Sequence, residues 1–249
     1  GRIRNLSATI RQHHTRMRMQ ADAIRGGRLF DEWPERYDQW FETPIGQLVR
    51  EYETELLHEL LDPRPGDFLL DVGCGTGIFT GSILSSGAEV VGLDISIPMV
   101  ARAQSRYHRE RFMPLAGDML ALPFASGSFD KVYSMTALEF VGNAQTAIAE
   151  LERVTRAGGV IFMATLNRLS PWAERRLKAA DEGHELFQSM VFRSPAEIRR
   201  LIPPGAALKT AIHFQKNEDP VRARLIEARS QAENSESGAF LAVSWTKSH

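Results

Sequence analysis

Apolar positions along the chain alternate between two periods, and that alternation predicts the architecture. Runs at 68–72, 89–93, 111–115, 129–135 and 160–166 are almost continuously apolar, as strands buried on both faces of a parallel sheet should be. Helical spacing fills the gaps between them. Thr43-Pro44 opens one helix in which Ile45, Leu48, Val49, Tyr52, Leu56, Leu57 and Leu60 recur, and the Pro/Gly-rich segment 62–66 closes it. It reads as structural cover for the sheet. Another helix begins at Ile97-Pro98, and 144–154 forms a third that a glycine stop at 156–159 ends. Helical cover is expected over 173–204, with Ser194-Pro195-Ala196-Glu197 as a helix start. Residues 207–214 and 238–245 add a sixth and a seventh strand, the last antiparallel. The polar stretch 216–237 between them is either an exposed helix or unstructured. The fold class is therefore α/β, a seven-stranded, mostly parallel sheet with helices on both faces.

One junction carries more than structure. The first strand holds Asp71 near its end and runs directly into Gly73-Cys74-Gly75-Thr76-Gly77, after which Ile78, Phe79, Ile83 and Leu84 resume helical spacing. Strand, glycine turn and helix make a site for a nucleotide-like ligand at the carboxyl edge of a sheet. Dinucleotide sites use G-x-G-x-x-G. Here the third glycine comes one residue early and Ile78 stands in its place, which disfavours NAD. Asp71 offers a pyrophosphate nothing, whereas a ligand with an ammonium group would gain from it. The fit is to a nucleoside bearing an amino-acid tail.

The stretch Asp71-Val72-Gly73-Cys74-Gly75-Thr76-Gly77 resembles the first motif of the class I S-adenosylmethionine-dependent methyltransferases, and residues 67–166 follow their motif order. The likeness is greatest to the type 11, ubiquinone/menaquinone methyltransferase-like small-molecule group. This resemblance implies a Rossmann-like sheet, methyl transfer to a small molecule, and S-adenosyl-L-methionine as cofactor with S-adenosyl-L-homocysteine as product. It implies cofactor contacts from Asp71, Gly73, Cys74, Gly75, Thr76 and Gly77. It also makes Tyr37 a residue of the lid over cofactor and substrate, with Trp40 and Phe41 behind it as acceptor contacts or simply as packing.

Further candidates follow along the sheet edge. Asp94 ends the second strand, where an acid can take both ribose hydroxyls; alternatively it caps the next helix, a task open to Ser96 as well. Ile95 and Met99 either cover an adenine face or belong to the core. The resemblance places Asp118 on the exocyclic amine of adenine and the Met119 backbone on a ring nitrogen. It also places Ser134, Met135 and Thr136, at the end of the fourth strand, near the reacting methyl. Glu139 is the first carboxylate beyond them: a general base, a guide for a cationic acceptor, or a solvated loop residue. Asn167, Arg168 and Trp172 follow the fifth strand and are expected to wall the acceptor. Arg168 either binds an anionic acceptor or pairs with a surface acid. Cys74 has no base near it in sequence, so a nucleophilic role is disfavoured.

Composition narrows the rest. With 249 residues, the chain is long enough for one α/β domain, read as an arm and lid over 1–43 and the methyltransferase domain over 44–249. A formal charge of −1 gives no basic field for nucleic acid. Cys74 is the single cysteine, so no intrachain disulfide forms, and no transmembrane-length run is visible. A cytoplasmic location, a small-molecule partner and no metal are expected; nothing specifies an oligomeric state. Residues 1–28 carry seven arginines and one acid, Asp22, which suits a solvated arm or a basic amphipathic helix. No Asn/Asp-Pro-Pro-Tyr-type motif follows the fourth strand, which disfavours amino-methylation of DNA bases or glutamine. The rival from another class is a cofactor-binding module without turnover, acting as a regulatory or partner-stabilising subunit.

Overall fold

The computed structural model describes residues 2–3, 30, 33–107 and 111–248; most of the arginine-rich segment lies outside them. In chain order come helices α1 (Pro34–Trp40) and α2 (Pro44–Leu61), strand β1 (Phe68–Val72), α3 (Thr80–Ser85), β2 (Glu89–Asp94) and α4 (Ile97–Arg106). Then follow β3 (Phe112–Ala116), β4 (Phe129–Met135), a 3₁₀ turn at Leu138–Phe140, α5 (Ala144–Val154), β5 (Thr155–Leu166) and α6 (Pro171–Asp181). The chain finishes with α7 (Glu185–Gln188), α8 (Pro195–Arg199), β6 (Ala207–Ala211), α9 (Pro220–Ala232) and β7 (Phe240–Thr246). The seven strands form one sheet in the order β3-β2-β1-β4-β5-β7-β6. β1 to β5 run parallel, and β7 is antiparallel to both β5 and β6. The expected α/β fold with its reversed last strand is what the chain adopts.

Period-two alternation sorts each strand onto two cores. On β1, Leu69 faces a cluster built with Leu57 and Leu61 of α2, Ile83 of α3 and Ala223 of α9. Phe68, Leu70 and Val72 face the other, with Leu151 of α5 and Ile198 of α8. Each fully buried leucine contributes roughly 1.5–3 kcal/mol, so the central strands fix the sheet and leave its carboxyl edge free for chemistry. Helix starts follow their caps. Thr43 accepts from the Gly46 N–H at 3.1 Å, and Ser194 with Glu197 forms the full capping box. Gly46 is obligatory, because a Cβ there would lie 2.0 Å from the Trp40 carbonyl oxygen. That contact sets how closely α1 folds back on α2.

The structure departs from the sequence reading at several places. β3 starts at Phe112 and runs to Ala116, one residue later than expected, leaving Arg111 exposed. β6 ends at Ala211 because Ile212 adopts a left-handed φ of 66°. The glycines at 158–159 do not stop α5. That helix ends when Thr155 turns extended, and the glycines sit inside β5 at an irregularity in its pairing with β4. A Cβ on Gly159 would lie 2.5 Å from the Asp130 carbonyl oxygen. Residues 216–237 take the helical alternative, on a helix whose buried positions are Ala223 and Glu227. α9 crosses them, capped by Asp219 and tied inward by Glu227, which accepts from the backbone N–H groups of Ile212 and His213. Among the described residues, no helix is long and apolar enough to cross a membrane.

Candidate active site

The turn after β1 is built by backbone donors. Gly73 and Cys74 N–H groups donate to the Leu93 carbonyl at 2.7 and 3.0 Å, and the Gly75 N–H donates to Asp94 Oδ2 at 2.8 Å. Asp94 Oδ1 accepts from the Ser96 N–H at 2.9 Å. Asp94 is thus locked in place with one backbone donor on each oxygen, while Ser96 caps α4 by accepting from Met99. Gly73 has a φ of 77°, and a Cβ there would lie 2.4 Å from that of Ala137, so the turn requires glycine on two counts. Behind it, Asp71 is 2% exposed. Its Oδ2 accepts from the Thr80 and Tyr133 hydroxyls at 2.8 and 2.9 Å. Burial raises its carboxyl to about 7, against the pull of those two bonds.

A cavity of about 840 Å³ opens from this turn along the carboxyl edge of the sheet. Its first half gathers Asp71, Gly73, Cys74, Gly75, Asp94, Ile95, Met99, Asp118 and Met119. Met135 and Thr136, at the end of β4, form its middle. Thr136 is held at a φ of 46°, an unusual backbone state for a β-branched residue and one that often accompanies a functional site. The far half is aromatic. Trp40 and Phe41 reach it from α1 and its end, Trp172 from α6, and Phe140 from the 3₁₀ turn. Tyr37 lines the cavity as well, with its ring edge-on to Phe41 at 5.1 Å. Burial pushes its phenol well up, and the charges of Glu53 and Glu139 push the same way. Burial also raises the Cys74 thiol, which leaves it a neutral wall group.

Five of the residues read from sequence do not line the cavity. Thr76 is wholly buried and donates its hydroxyl to Asp38 Oδ1 of α1 at 2.6 Å. Gly77 points away, its carbonyl accepting from the Tyr107 hydroxyl at 2.8 Å. Ser134 is wholly buried within β4, because alternation turns its side chain away from the edge. Asn167 is also wholly buried and ties the chain together, donating to the Glu236 and Gly238 carbonyls at 2.8 and 2.9 Å. Arg168 pairs with Glu197 at 3.2 Å on the surface, its alternative reading. Trp172 alone of that trio meets the cavity, steadied by its indole N–H on the Phe214 carbonyl at 2.7 Å.

Other contributors escaped the sequence reading. Glu53 lines the cavity from α2, is 6% exposed, and is raised by burial to about 8. The signal was present: Val49, Glu53 and Leu57 share one stripe of the helix, so an acid stands in the apolar face. Glu139, by contrast, was a candidate from sequence; it lines the cavity and is 1% exposed, which removes its reading as a solvated loop residue. Its Oε2 accepts from Thr165 at 3.2 Å, and burial raises it to about 7. Arg176 of α6 stacks over Trp172 with 5.5 Å to the ring centroid. Asp38, below the lid, accepts from Thr76, from Arg102 at 3.0 Å and from Arg106 at 2.6 Å.

A family model described as a methyltransferase domain matches residues 70–163, the segment that carries β1 to β5 and the glycine turn. That segment is similar to a methyltransferase domain. The domain's curated relatives include the malonyl-[acyl-carrier protein] O-methyltransferase of Erwinia billingiae, 33% identical over 61% of this chain and 55% of that protein. They also include the demethylmenaquinone methyltransferase of Beutenbergia cavernae, 36% identical over 58% of this chain and 59% of that protein. The chain thus spans little more than half the length of these relatives. Among solved structures, an S-adenosylmethionine-dependent methyltransferase from Thermotoga maritima superposes with a TM-score of 0.68 at 21% identity, covering 89% of this chain and 99% of that one. Phosphoethanolamine N-methyltransferase 2 of Haemonchus contortus, bound to S-adenosyl-L-methionine, gives 0.63 at 15% identity, covering 91% of this chain and 60% of that one. At such identities the likeness is one of fold. The residues at this sheet edge would fit S-adenosylmethionine: a fixed carboxylate at the end of β2 for a diol, apolar side chains around it for a purine, and Asp71 beside the turn for an ammonium.

Proposed function

We propose that the chain is an S-adenosylmethionine-dependent methyltransferase acting on a small-molecule acceptor. One observation carries this reading: a single cavity joins the Asp94 and Asp118 end to the aromatic end, with Met135 and Thr136 between them. Asp94 would hold the ribose, Asp118 and Met119 the adenine, and Asp71 with the glycine turn the amino-acid tail. Bound there, the cofactor supplies a methyl group on a sulfonium, which needs no acid to leave. The protein's task is then to hold the acceptor behind that methyl and keep water out. Tyr37 and Trp40, carried on α1, and Phe41 at its end suit that task because they close the cavity with rings instead of solvent.

Calorimetric titration with S-adenosylhomocysteine and with NAD tests the reading. Binding of the former and not the latter is expected. A preference for NAD, or binding of neither, would overturn it. Metabolite extract incubated with deuteromethyl-labelled cofactor separates an enzyme from a module without turnover, because only an enzyme yields a labelled product.

A further inference from the structure

Two charged side chains of the far half are left incomplete. Glu139 has Oε2 on Thr165, while its Oε1 is buried with no hydrogen-bond partner. Arg176 has a buried Nη1 in the same condition. Both line the one cavity, and each feels the charge of the other, yet no ion pair joins them. Such orphaned buried groups are costly unless a ligand completes them. The missing partner must donate to a carboxylate and accept from a guanidinium at one place.

That demand discriminates among head groups. An ammonium would satisfy Glu139 and be repelled by Arg176, and a carboxylate would do the reverse. A neutral amine could meet both only by giving its single lone pair to Arg176, which leaves nothing to attack a methyl. A hydroxyl donates its proton and keeps two lone pairs, one for Arg176 and one for the reaction. The walls around it are Trp33, Trp40, Phe140, Trp172, Phe187 and Met190, which suit a flat, apolar body.

Resting on the methyltransferase reading, we propose that the acceptor is an aryl or enolic hydroxyl compound methylated on oxygen, its hydroxyl bridging Glu139 and Arg176. The acceptor oxygen forms its bond to the methyl carbon as the methyl–sulfur bond breaks with its electron pair remaining on sulfur. The hydroxyl proton passes to Glu139 Oε1, and Arg176 steadies the negative charge that develops on oxygen. The groups that bear on Glu139 are Arg176 from α6, Arg193 from the loop before α8, Thr165 from β5, and Tyr37 and Glu53 from α1 and α2. Arg193 is itself occupied by the Leu138 and Val141 carbonyls, whereas Arg176 keeps an Nη1 without a partner, so of these two cations Arg176 is the one placed to meet a ligand.

The test uses the full chain saturated with S-adenosylhomocysteine and three probes on one scaffold: 2-naphthol, 2-naphthylamine and 2-naphthoic acid. Calorimetry should show the naphthol bound roughly ten- to a hundredfold tighter than either of the others. Glu139→Gln and Arg176→Lys should each erase most of that advantage while keeping wild-type affinity for S-adenosylhomocysteine, which verifies their folding. With S-adenosylmethionine, wild type should form 2-methoxynaphthalene at a rate that rises with pH through about 7. Glu139→Gln should be slower by roughly a hundredfold or more, with a flat profile. Equal or tighter binding of the amine or acid, no binding of the naphthol, or a bound naphthol never converted to its ether would overturn the proposal. Failure of the wild type to bind S-adenosylhomocysteine would instead sink the methyltransferase reading beneath it.

Discussion

Asp38 offers the most informative single substitution, because it joins α1 to the glycine turn. It is 7% exposed, and its carboxylate gathers the Thr76 hydroxyl on one oxygen and Arg102 and Arg106 on the other. In Asp38→Ala the buried Thr76 hydroxyl loses its acceptor, at about 1–3 kcal/mol. The Arg102 and Arg106 side chains are 46% and 27% exposed, so solvent screens them and each loss is about 0–1 kcal/mol. The sum is about 1–5 kcal/mol, and it falls on the contact between α1 and the glycine turn. Undocking of α1 should therefore weaken S-adenosylhomocysteine binding at least about tenfold, the factor that 1.4 kcal/mol represents. Asp38→Asn keeps an acceptor for Thr76 and loses the charge facing both arginines, so it should fall between wild type and Asp38→Ala. Urea unfolding followed by calorimetry measures both quantities on the same samples. A lowered unfolding free energy with wild-type affinity would refute the idea that Asp38 couples lid to turn.

Three further outcomes are expected. Asp94→Ala should reduce S-adenosylhomocysteine affinity by roughly a hundredfold or more while the chain stays folded; unchanged binding in calorimetry would remove Asp94 from the ribose. Gly73→Ala should destabilise the chain more than Gly75→Ala, since both have positive φ but only the first Cβ meets a neighbour, at 2.4 Å; equal melting temperatures would contradict that geometry. Glu53 is raised to about 8 from an ordinary 4.5, so the folded chain binds its proton more tightly than the unfolded one. Stability should therefore fall as pH rises through that window, by a total on the order of 4 kcal/mol from this group. Glu53→Gln should flatten the dependence of melting temperature on pH, and a slope matching wild type would exclude Glu53 as its source.

How much the sequence revealed divides along the sheet edge. The strands, their parallel order, the glycine turn and the acids at 71, 94 and 118 were legible because each is a local pattern tied to one stretch of chain. What escaped was long-range. Thr76 looks like a ligand contact until Asp38, brought over by α1, takes its hydroxyl. Asn167 sits at the correct edge, yet the segment leading into β7 arrives beside it with the Glu236 and Gly238 carbonyls and claims it. Glu53 was readable as an acid in an apolar stripe, but only the packing of α2 beneath the aromatic half shows what it faces. The glycines at 158–159 carry the composition of a helix stop, and their use as a bulge in β5 depends on Asp130 of a neighbouring strand.

The walls of the aromatic half come from Trp33 to Glu53, from Trp172 to Met190, and from Ile212, Lys216, Ala239 and Phe240, apart from the turn carrying Glu139 and Phe140. Nearly all of these lie outside the span shared with the family model. On the proposed reading, donor handling and acceptor choice are then written in separate stretches of chain that meet only in three dimensions. New acceptors can be recruited by exchanging the outer segments alone, with the inherited half untouched, and a chimera that swaps residues 171–190 between two such proteins should carry its selectivity with the graft.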